Sequence, residues 1–360
     1  MKIYRTALIG CSRMGAFIDN EVPEARGPVS HAAGYEACAR TKMIACTDLR
    51  EEVMEQVGQR YGVPRQGQYT DYREMIAVEQ PDIVSVATQP EQRAEIVVHL
   101  AEKGIKAIYA EKAMAASMAE ADEMVEAVER NGAFFNLGTN RRWDPGYDQM
   151  KALIDSGRFG ALKSLIVHQT SSLFNSASHS FDLLMRLNSD APVSWVQAHL
   201  PEGDALIDGD ILREDPVGHG IMQFSNGVTG YALNSGRGME VEAACEKGII
   251  TSLRDGAEWQ LREPGGKDHR GRHVLVAGEF PVYERISSTL RCIEDLVNSL
   301  DTGAPSRCGV RRARANNELI FACIESHLRG GARVDLPLEG SRHRLQRQHE
   351  PRKPKFLRDS

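Results

Sequence analysis

Through the first third of the chain, short apolar runs alternate with longer stretches whose apolar positions recur every three or four residues. Ile3–Ile9 (IYRTALI) is a run of β-branched and aliphatic residues of the kind buried on both faces of a sheet. It ends in Gly10–Gly15 (GCSRMG) and leads into AFIDNE, a predicted helix start. Met43–Thr47 (MIACT), Asp82–Thr88 (DIVSVAT), Lys106–Ala110 (KAIYA) and Ala133–Leu137 supply four more strands. Helical spacing fills Arg50–Tyr61, Glu91–Lys103 and Ala115–Asn131 between them. Strand–helix alternation predicts a doubly wound α/β domain, a parallel sheet with right-handed crossovers and helices on both faces.

After about residue 139 the pattern changes. Helices are predicted at Pro145–Ser156 and Ser180–Leu187, and then strand patterns dominate. They fall at Lys163–Gln169, Val193–His199, Gly218–Phe224, Val228–Asn234, Val241–Ala244 and Ile249–Arg254. Asn226-Gly227 supplies the left-handed residues of a hairpin turn between two of them. Adjacent strands without intervening helices predict a second, α+β domain with a large, mostly antiparallel open sheet. The charged, Gly-rich stretch Glu263–Arg272 reads as a loop. Helices follow at Ser287–Leu300 and Arg312–Gly330, each ending near glycine. The expected division is 1–138, 139–340 and a basic tail over 341–360.

Composition narrows the class. Apolar residues are 41% and charged residues 26%, the balance of a folded protein. A net charge of -6 offers no basic footprint for nucleic acid. The local exception is the tail, where Arg342, Arg344, Arg347, Arg352, Lys353, Lys355 and Arg358 face only Glu350 and Asp359. It is expected to be a solvated or partner-packed arm. The seven cysteines stand singly, without a CxxC pair, which argues against a zinc knuckle and suits a reducing compartment. The chain opens directly on a strand, so no signal peptide is read, and no apolar stretch approaches the roughly 18 residues of a membrane span. A cytoplasmic protein without metal is the expectation.

Four places carry candidate chemistry. A strand-to-helix turn with glycines at 10 and 15 suits a pyrophosphate, which needs close backbone approach; Ser12 stands where a GxGxxG turn has its middle glycine. A plain strand–turn–helix fits the same residues. Asp48 ends the second strand, where a carboxylate accepts ribose hydroxyls and repels a 2′-phosphate, favouring NAD over NADP. Its spacing exceeds the usual roughly 20 residues, and Val22–Tyr35 reads as the insertion responsible. A solvent-facing acid is the alternative, and nearby Arg50 complicates the choice. Glu111-Lys112 follows the fourth strand, at the ligand-binding edge of a parallel sheet or as a surface helix-start pair. His179 lies one helical step from Asn175, where an imidazole suits proton exchange with an alcohol. A helix-capping or core histidine is the ordinary reading of such a residue alone. The other histidines are left as structural.

In this order the features resemble the Gfo/Idh/MocA oxidoreductases, over nearly the whole chain from Ile3 to Leu338. The carriers are the Rossmann turn Gly10–Gly15, Asp48, Ala87-Thr88-Gln89-Pro90, Glu111-Lys112-Ala113, Arg141-Arg142 with Gly157-Arg-Phe-Gly160, and Asn175 through His179 to Asp182. The stretch ending Gly331–Pro337 is similar to the family as well. The resemblance implies a nicotinamide coenzyme held by Gly10, Ser12, Arg13, Met14, Gly15, Asp48, Thr88, Pro90, Glu111 and Lys112. It implies a sugar, inositol or related polyol held by Lys112, Arg142, Asn175 and His179. Lys112 then orients and polarises the reacting hydroxyl, and His179 takes or returns its proton, with the two groups sharing a cleft. A homodimer or homotetramer is also implied. Ala113 stands where the family has proline, and Asn175 where it has aspartate. A redox-neutral glycoside-cleaving enzyme and a non-catalytic nucleotide or sugar sensor are the competing readings.

Overall fold

The computed structural model describes residues 1–22, 25, 27–169, 172–235, 238–347 and 353–357. In chain order the first elements are β1 (Tyr4–Ile9), α1 (His31–Ala37), β2 (Thr41–Thr47), α2 (Glu51–Tyr61), β3 (Gln68–Tyr69), α3 (Tyr72–Glu79), β4 (Ile83–Val86), α4 (Pro90–Glu102), β5 (Ala107–Ala110), α5 (Met118–Arg130) and β6 (Phe134–Leu137). Then come α6 (Pro145–Asp155), β7 (Leu162–Gln169), α7 (Ser178–Leu187), β8 (Val193–His199), α8 (Gly203–Leu206), β9 (Ile207–Asp208), β10 (Ile211–Leu212), β11 (His219–Phe224), β12 (Thr229–Asn234), β13 (Glu240–Cys245), β14 (Gly248–Leu253), β15 (Glu258–Lys267) and β16 (His273–Gly278). The last are α9 (Ser288–Thr302), α10 (Val310–Leu328), β17 (Val334–Asp335) and β18 (Arg344–Leu345).

The described residues group into two compact units, Met1–Trp143 with Ile286–Ala315 and Arg347–Ser360, and Asp144–Arg285 with Asn316–Gln346. The sequence reading divided the chain into contiguous blocks; here each unit is assembled from separated segments.

In the first unit six strands lie in the order β3-β2-β1-β4-β5-β6. Every pairing is parallel. The strand order reverses at β1/β4, the switch point where ligands bind in doubly wound sheets. β4 and β5 are buried at every position, as strands covered on both faces must be. Right-handed crossovers put α1 and α2 on one face and α3, α4 and α5 on the other. α9 completes the first face: Asn136 on β6 donates to Asp295, 2.9 Å, and Tyr4 on β1 donates to Asp301, 2.6 Å.

Three expectations are corrected here. AFIDNE does not open a regular helix: Arg13–Phe17 is a single π-helical turn and Ile18–Asn20 a 3-10 turn. The α-helix is delayed to His31–Ala37, inside the stretch read as an insertion. Asp19 makes this possible, accepting from Val29 and Ser30 backbone N–H at 2.7 and 3.1 Å, while the Ser30 hydroxyl caps α1. The short pair β3 and α3 was not read from the sequence, because two strand residues carry no periodicity. The tail, finally, is not simply solvated. Arg347 is ion-paired with Glu91, Lys353 with Glu52, and the Phe356 ring meets Phe17 edge-on at 5.1 Å. Glu350, Arg352, Arg358 and Asp359 of that basic tail lie outside the described residues.

In the second unit nine strands run in the order β16-β15-β14-β13-β7-β12-β11-β8-β17. Within this sheet only β7 and β12 pair in parallel, and a separate small sheet, β18-β10-β9, pairs β10 with β18 in parallel. Alternation is clean: Leu165, Val167, Met222, Phe224, Val241 and Ala243 are buried, while their neighbours Ile166, Ile221 and Tyr231 on the other face are half-buried. Glu263–Arg272 was expected as a loop, but β15 runs to Lys267 and pairs with β16. Its Gly and charged residues stand on an outer hairpin, where burial never selected an apolar pattern. Among the described residues no helix is long and apolar enough to cross a membrane.

Candidate functional site

The first unit gathers ten of the expected residues along the carboxyl edge of its parallel sheet. Gly10 leaves β1 with φ +88°, and its N–H bonds the Thr47 carbonyl at 2.8 Å, tying the turn to the end of β2. A Cβ on Gly10 would stand 2.8 Å from the Ala87 carbonyl oxygen, and one on Gly15 only 2.0 Å from the Gly10 carbonyl oxygen. Both contacts are with backbone, which cannot swing aside. Glycine is therefore required by packing as well as by conformation. Ser12 and Met14 sit half-buried in this turn. Arg13 turns its guanidinium to Glu21, with 2.6–3.0 Å contacts, so its charge is already paired within the unit.

Asp48 is 9% exposed. One carboxylate oxygen accepts the Cys11 N–H at 2.9 Å, and the other accepts both the backbone N–H and the Nε of Arg50 at 3.1 Å. The acid thus touches the glycine turn itself, and the arginine that complicated the sequence reading is its ion-pair partner. On the next strand Pro90 starts α4 at its first turn, where a missing N–H costs nothing. The Thr88 hydroxyl just before it is buried without a hydrogen-bond partner among the described residues. An orphaned hydroxyl, two glycines that no Cβ can replace and a carboxylate on the turn are the features a dinucleotide needs at this edge. They fit one.

Glu111 and Lys112 end β5, and the Lys112–Ala113 peptide is cis. Glu111 is 5% exposed. It accepts from Nε2 of His31 at 3.1 Å, and the other ring nitrogen of His31 shares a 2.9 Å hydrogen bond with the Ser85 hydroxyl. Tyr35 bonds the same hydroxyl at 2.7 Å, and the His31 ring stacks on Tyr109 at 4.0 Å. Because a carboxylate only accepts, Nε2 carries a proton. Burial works against the charge of Glu111. The His31 hydrogen bond and charge, with Lys112 and Arg93 nearby, nevertheless hold its carboxyl below the ordinary glutamate value. His31 is the residue that sequence reading missed most clearly, having left it among structural histidines. Nothing local to Ser30-His31 pointed to Glu111, 80 residues away.

Arg142 falls in this unit too. It is 1% exposed and donates to the Arg307 carbonyl at 3.4 Å, so its guanidinium is held inside rather than offered at the surface.

The second unit carries Asn175 and His179. Leu173–Ala177 forms a π-helical turn that runs directly into α7, placing Asn175 exposed and His179 half-buried at the helix start. Asp215, which sequence reading did not single out, holds the turn. It accepts from the Ser172 hydroxyl at 2.6 Å and from the Phe174 and Asn175 N–H at 2.9 Å each. Where the sequence lacks a carboxylate at 175, one is hydrogen-bonded to that residue's backbone. Asn316 on α10 fixes the next turn by donating to the Ser178 carbonyl at 2.7 Å. The seven cysteines are free thiols, and no cluster among the described residues could hold a metal ion.

Comparison with known proteins places this arrangement. The chain is 22% identical over 249 residues to myo-inositol 2-dehydrogenase of Thermotoga maritima, covering 65% of this chain and 69% of that one. It is 29% identical over 160 residues to D-apiose dehydrogenase of Paraburkholderia graminis, covering 44% of this chain and 38% of that one. In fold it is similar to levoglucosan dehydrogenase solved with NADH and levoglucosan, with a TM-score of 0.74, 19% identity and coverage of 94% and 100%. Residues 4–139 match the model of the GFO_IDH_MocA oxidoreductase family, described by its NAD-binding Rossmann fold.

Proposed function

We propose that this protein is an NAD(P)-dependent oxidoreductase that moves a hydride between the coenzyme and a hydroxyl-bearing carbon of a sugar, inositol or related polyol. The observation that carries the reading is the convergence, at one sheet edge, of the Gly10–Gly15 turn, Asp48, the orphaned Thr88 hydroxyl and the Glu111-Lys112 pair. Inositol and apiose dehydrogenases among its relatives support the substrate class.

Residues 10–15 would hold the pyrophosphate through backbone N–H groups, and Asp48 the ribose hydroxyls. When bound, the nicotinamide supplies a two-electron hydride acceptor. Lys112 donates to the substrate hydroxyl and stabilises its developing alkoxide, and His179 is the second unit's candidate for proton exchange. Glu111 stays anionic, its carboxyl held below the ordinary glutamate value by the His31 hydrogen bond and the His31, Lys112 and Arg93 charges. The carboxylate of Asp48 supports NAD as the preferred coenzyme, since a 2′-phosphate would meet its charge. The half-buried Ile166, Ile221 and Tyr231 on the uncovered sheet face support a homodimer or homotetramer.

The test is a panel of inositols, aldoses, anhydrosugars and sugar acids with NAD or NADP, followed by the absorbance of reduced nicotinamide. Turnover with NAD on at least one polyol is expected. Coenzyme that stays bound through gel filtration while a glycosidic bond breaks would replace this reading with the redox-neutral one. Binding without any turnover would leave a sensor.

A further inference from the structure

Arg93 is a fully buried charged side chain of the first unit whose own hydrogen bonds have no part in the site described above. It stands on α4 and is 1% exposed. It occupies the stripe that also carries Val97 and Leu100, both 0% exposed, where an apolar residue is expected. One terminal nitrogen of its guanidinium donates to the Ala113 carbonyl, and the other donates to the Thr88 carbonyl. No carboxylate among the described residues lies within ion-pair distance of it, and its Nε is buried without a partner. Burial brings its pKa down to about 10, which still leaves it charged at neutral pH.

A buried, unpaired charge is retained only where something compensates it. Here the compensation is two backbone carbonyls from the loops after β4 and β5, to which Glu111 and Glu91 add attraction from beyond ion-pair distance. One acceptor residue is Thr88, whose hydroxyl is buried without a partner among the described residues and whose backbone nitrogen lies against Gly10. The other is Ala113, directly after Lys112. The planar fork of a guanidinium spans two carbonyls at fixed separation, which an ammonium cannot do as well.

We propose that Arg93 is a positioning residue. It cross-links the Thr88 and Ala113 carbonyls and thereby sets where Lys112 stands relative to the coenzyme turn. The proposal rests on the dehydrogenase reading for its kinetic consequence, but not for its geometry.

The experiment compares full-length wild type with Arg93→Lys and Arg93→Ala, measuring kcat, KM for coenzyme and substrate, coenzyme Kd and thermal unfolding. Displacing a catalytic group by about 1 Å costs on the order of 100-fold in rate. Arg93→Ala is therefore expected to lose about 100-fold in kcat and to bind coenzyme several-fold more weakly, with substrate KM little changed. Arg93→Lys should recover part of kcat, and millimolar guanidinium should restore activity to the alanine variant but not to wild type. A folded lysine or alanine variant with wild-type kcat and coenzyme Kd overturns the proposal. So does a variant that loses thermal stability while its folded fraction keeps full kcat. If wild type turns over nothing in the panel, the dehydrogenase reading falls and coenzyme Kd alone decides. Weaker binding in both variants then upholds the clamp, and unchanged binding refutes it.

Discussion

Replacing His31 with alanine removes the partner of a carboxylate that is itself out of water. The His31 and Glu111 side chains are 0% and 6% exposed. Breaking a buried pair by removing one member costs about 3–5 kcal/mol, because the other charge is stranded. Glu111 has one escape, which is to take up a proton. At pH 7 that costs about 1.4 kcal/mol for each unit above its ordinary value of 4.5, or roughly 3.4 kcal/mol. The expected loss is therefore about 3–4 kcal/mol, a fall of roughly 6–16 °C in the melting temperature of a unit this size. The pH dependence has a definite sign. In wild type the depressed Glu111 contributes stability that is present above pH 4.5 and is lost as pH falls through its folded value. In the variant Glu111 lacks its hydrogen bond, so its protonation becomes easier as pH drops, and the escape at pH 5 costs only about 0.7 kcal/mol. The gap between the two proteins should thus narrow from pH 7 to pH 5. Calorimetry at both values reads it, and His31→Gln, which restores a donor, should recover part of the loss. A gap under 1 kcal/mol at pH 7, or one of equal size at both pH values, would refute the reasoning.

The other expectations concern coenzyme and proton. Gly15→Ala forces a Cβ to within 2.0 Å of the Gly10 carbonyl oxygen, so the turn must open. Overpacking of this kind costs about 1–3 kcal/mol, and NAD affinity should fall at least tenfold by calorimetric titration. Asp48→Ala removes the repulsion toward a 2′-phosphate and releases Arg50, so the ratio of kcat/KM for NAD over NADP should drop about 100-fold; an unchanged ratio would exclude Asp48 as the ribose ligand. Asn175→Asp places a negative charge one helical turn from His179, and the acidic limb of the kcat/KM profile should move to higher pH. Superimposable profiles would sever Asn175 from the proton route.

Much of the first unit was legible because burial on both faces of a parallel sheet leaves a continuous apolar run, and each run ends where the ligand edge begins. Gly10, Gly15, Asp48 and Lys112 could be placed on that edge by counting from strand ends. The nine-stranded sheet was legible wherever one face is buried, since alternation records it, and became illegible at β15 and β16, where neither face demanded a pattern.

What the sequence by itself determined is therefore the order of elements and which residues stand at strand ends, because these follow from local periodicity and turn chemistry. It could not say that α1 would start at His31, since that depends on Asp19 closing a break across residues with no local preference. Nor could it say that His31 would find Glu111, 80 residues away, that Arg93 would find Ala113, 20 residues away, or that Asp215 would hold the turn of Asn175, 40 residues away. A buried polar group must be satisfied by whatever the fold brings beside it, and only the tertiary structure decides what that is.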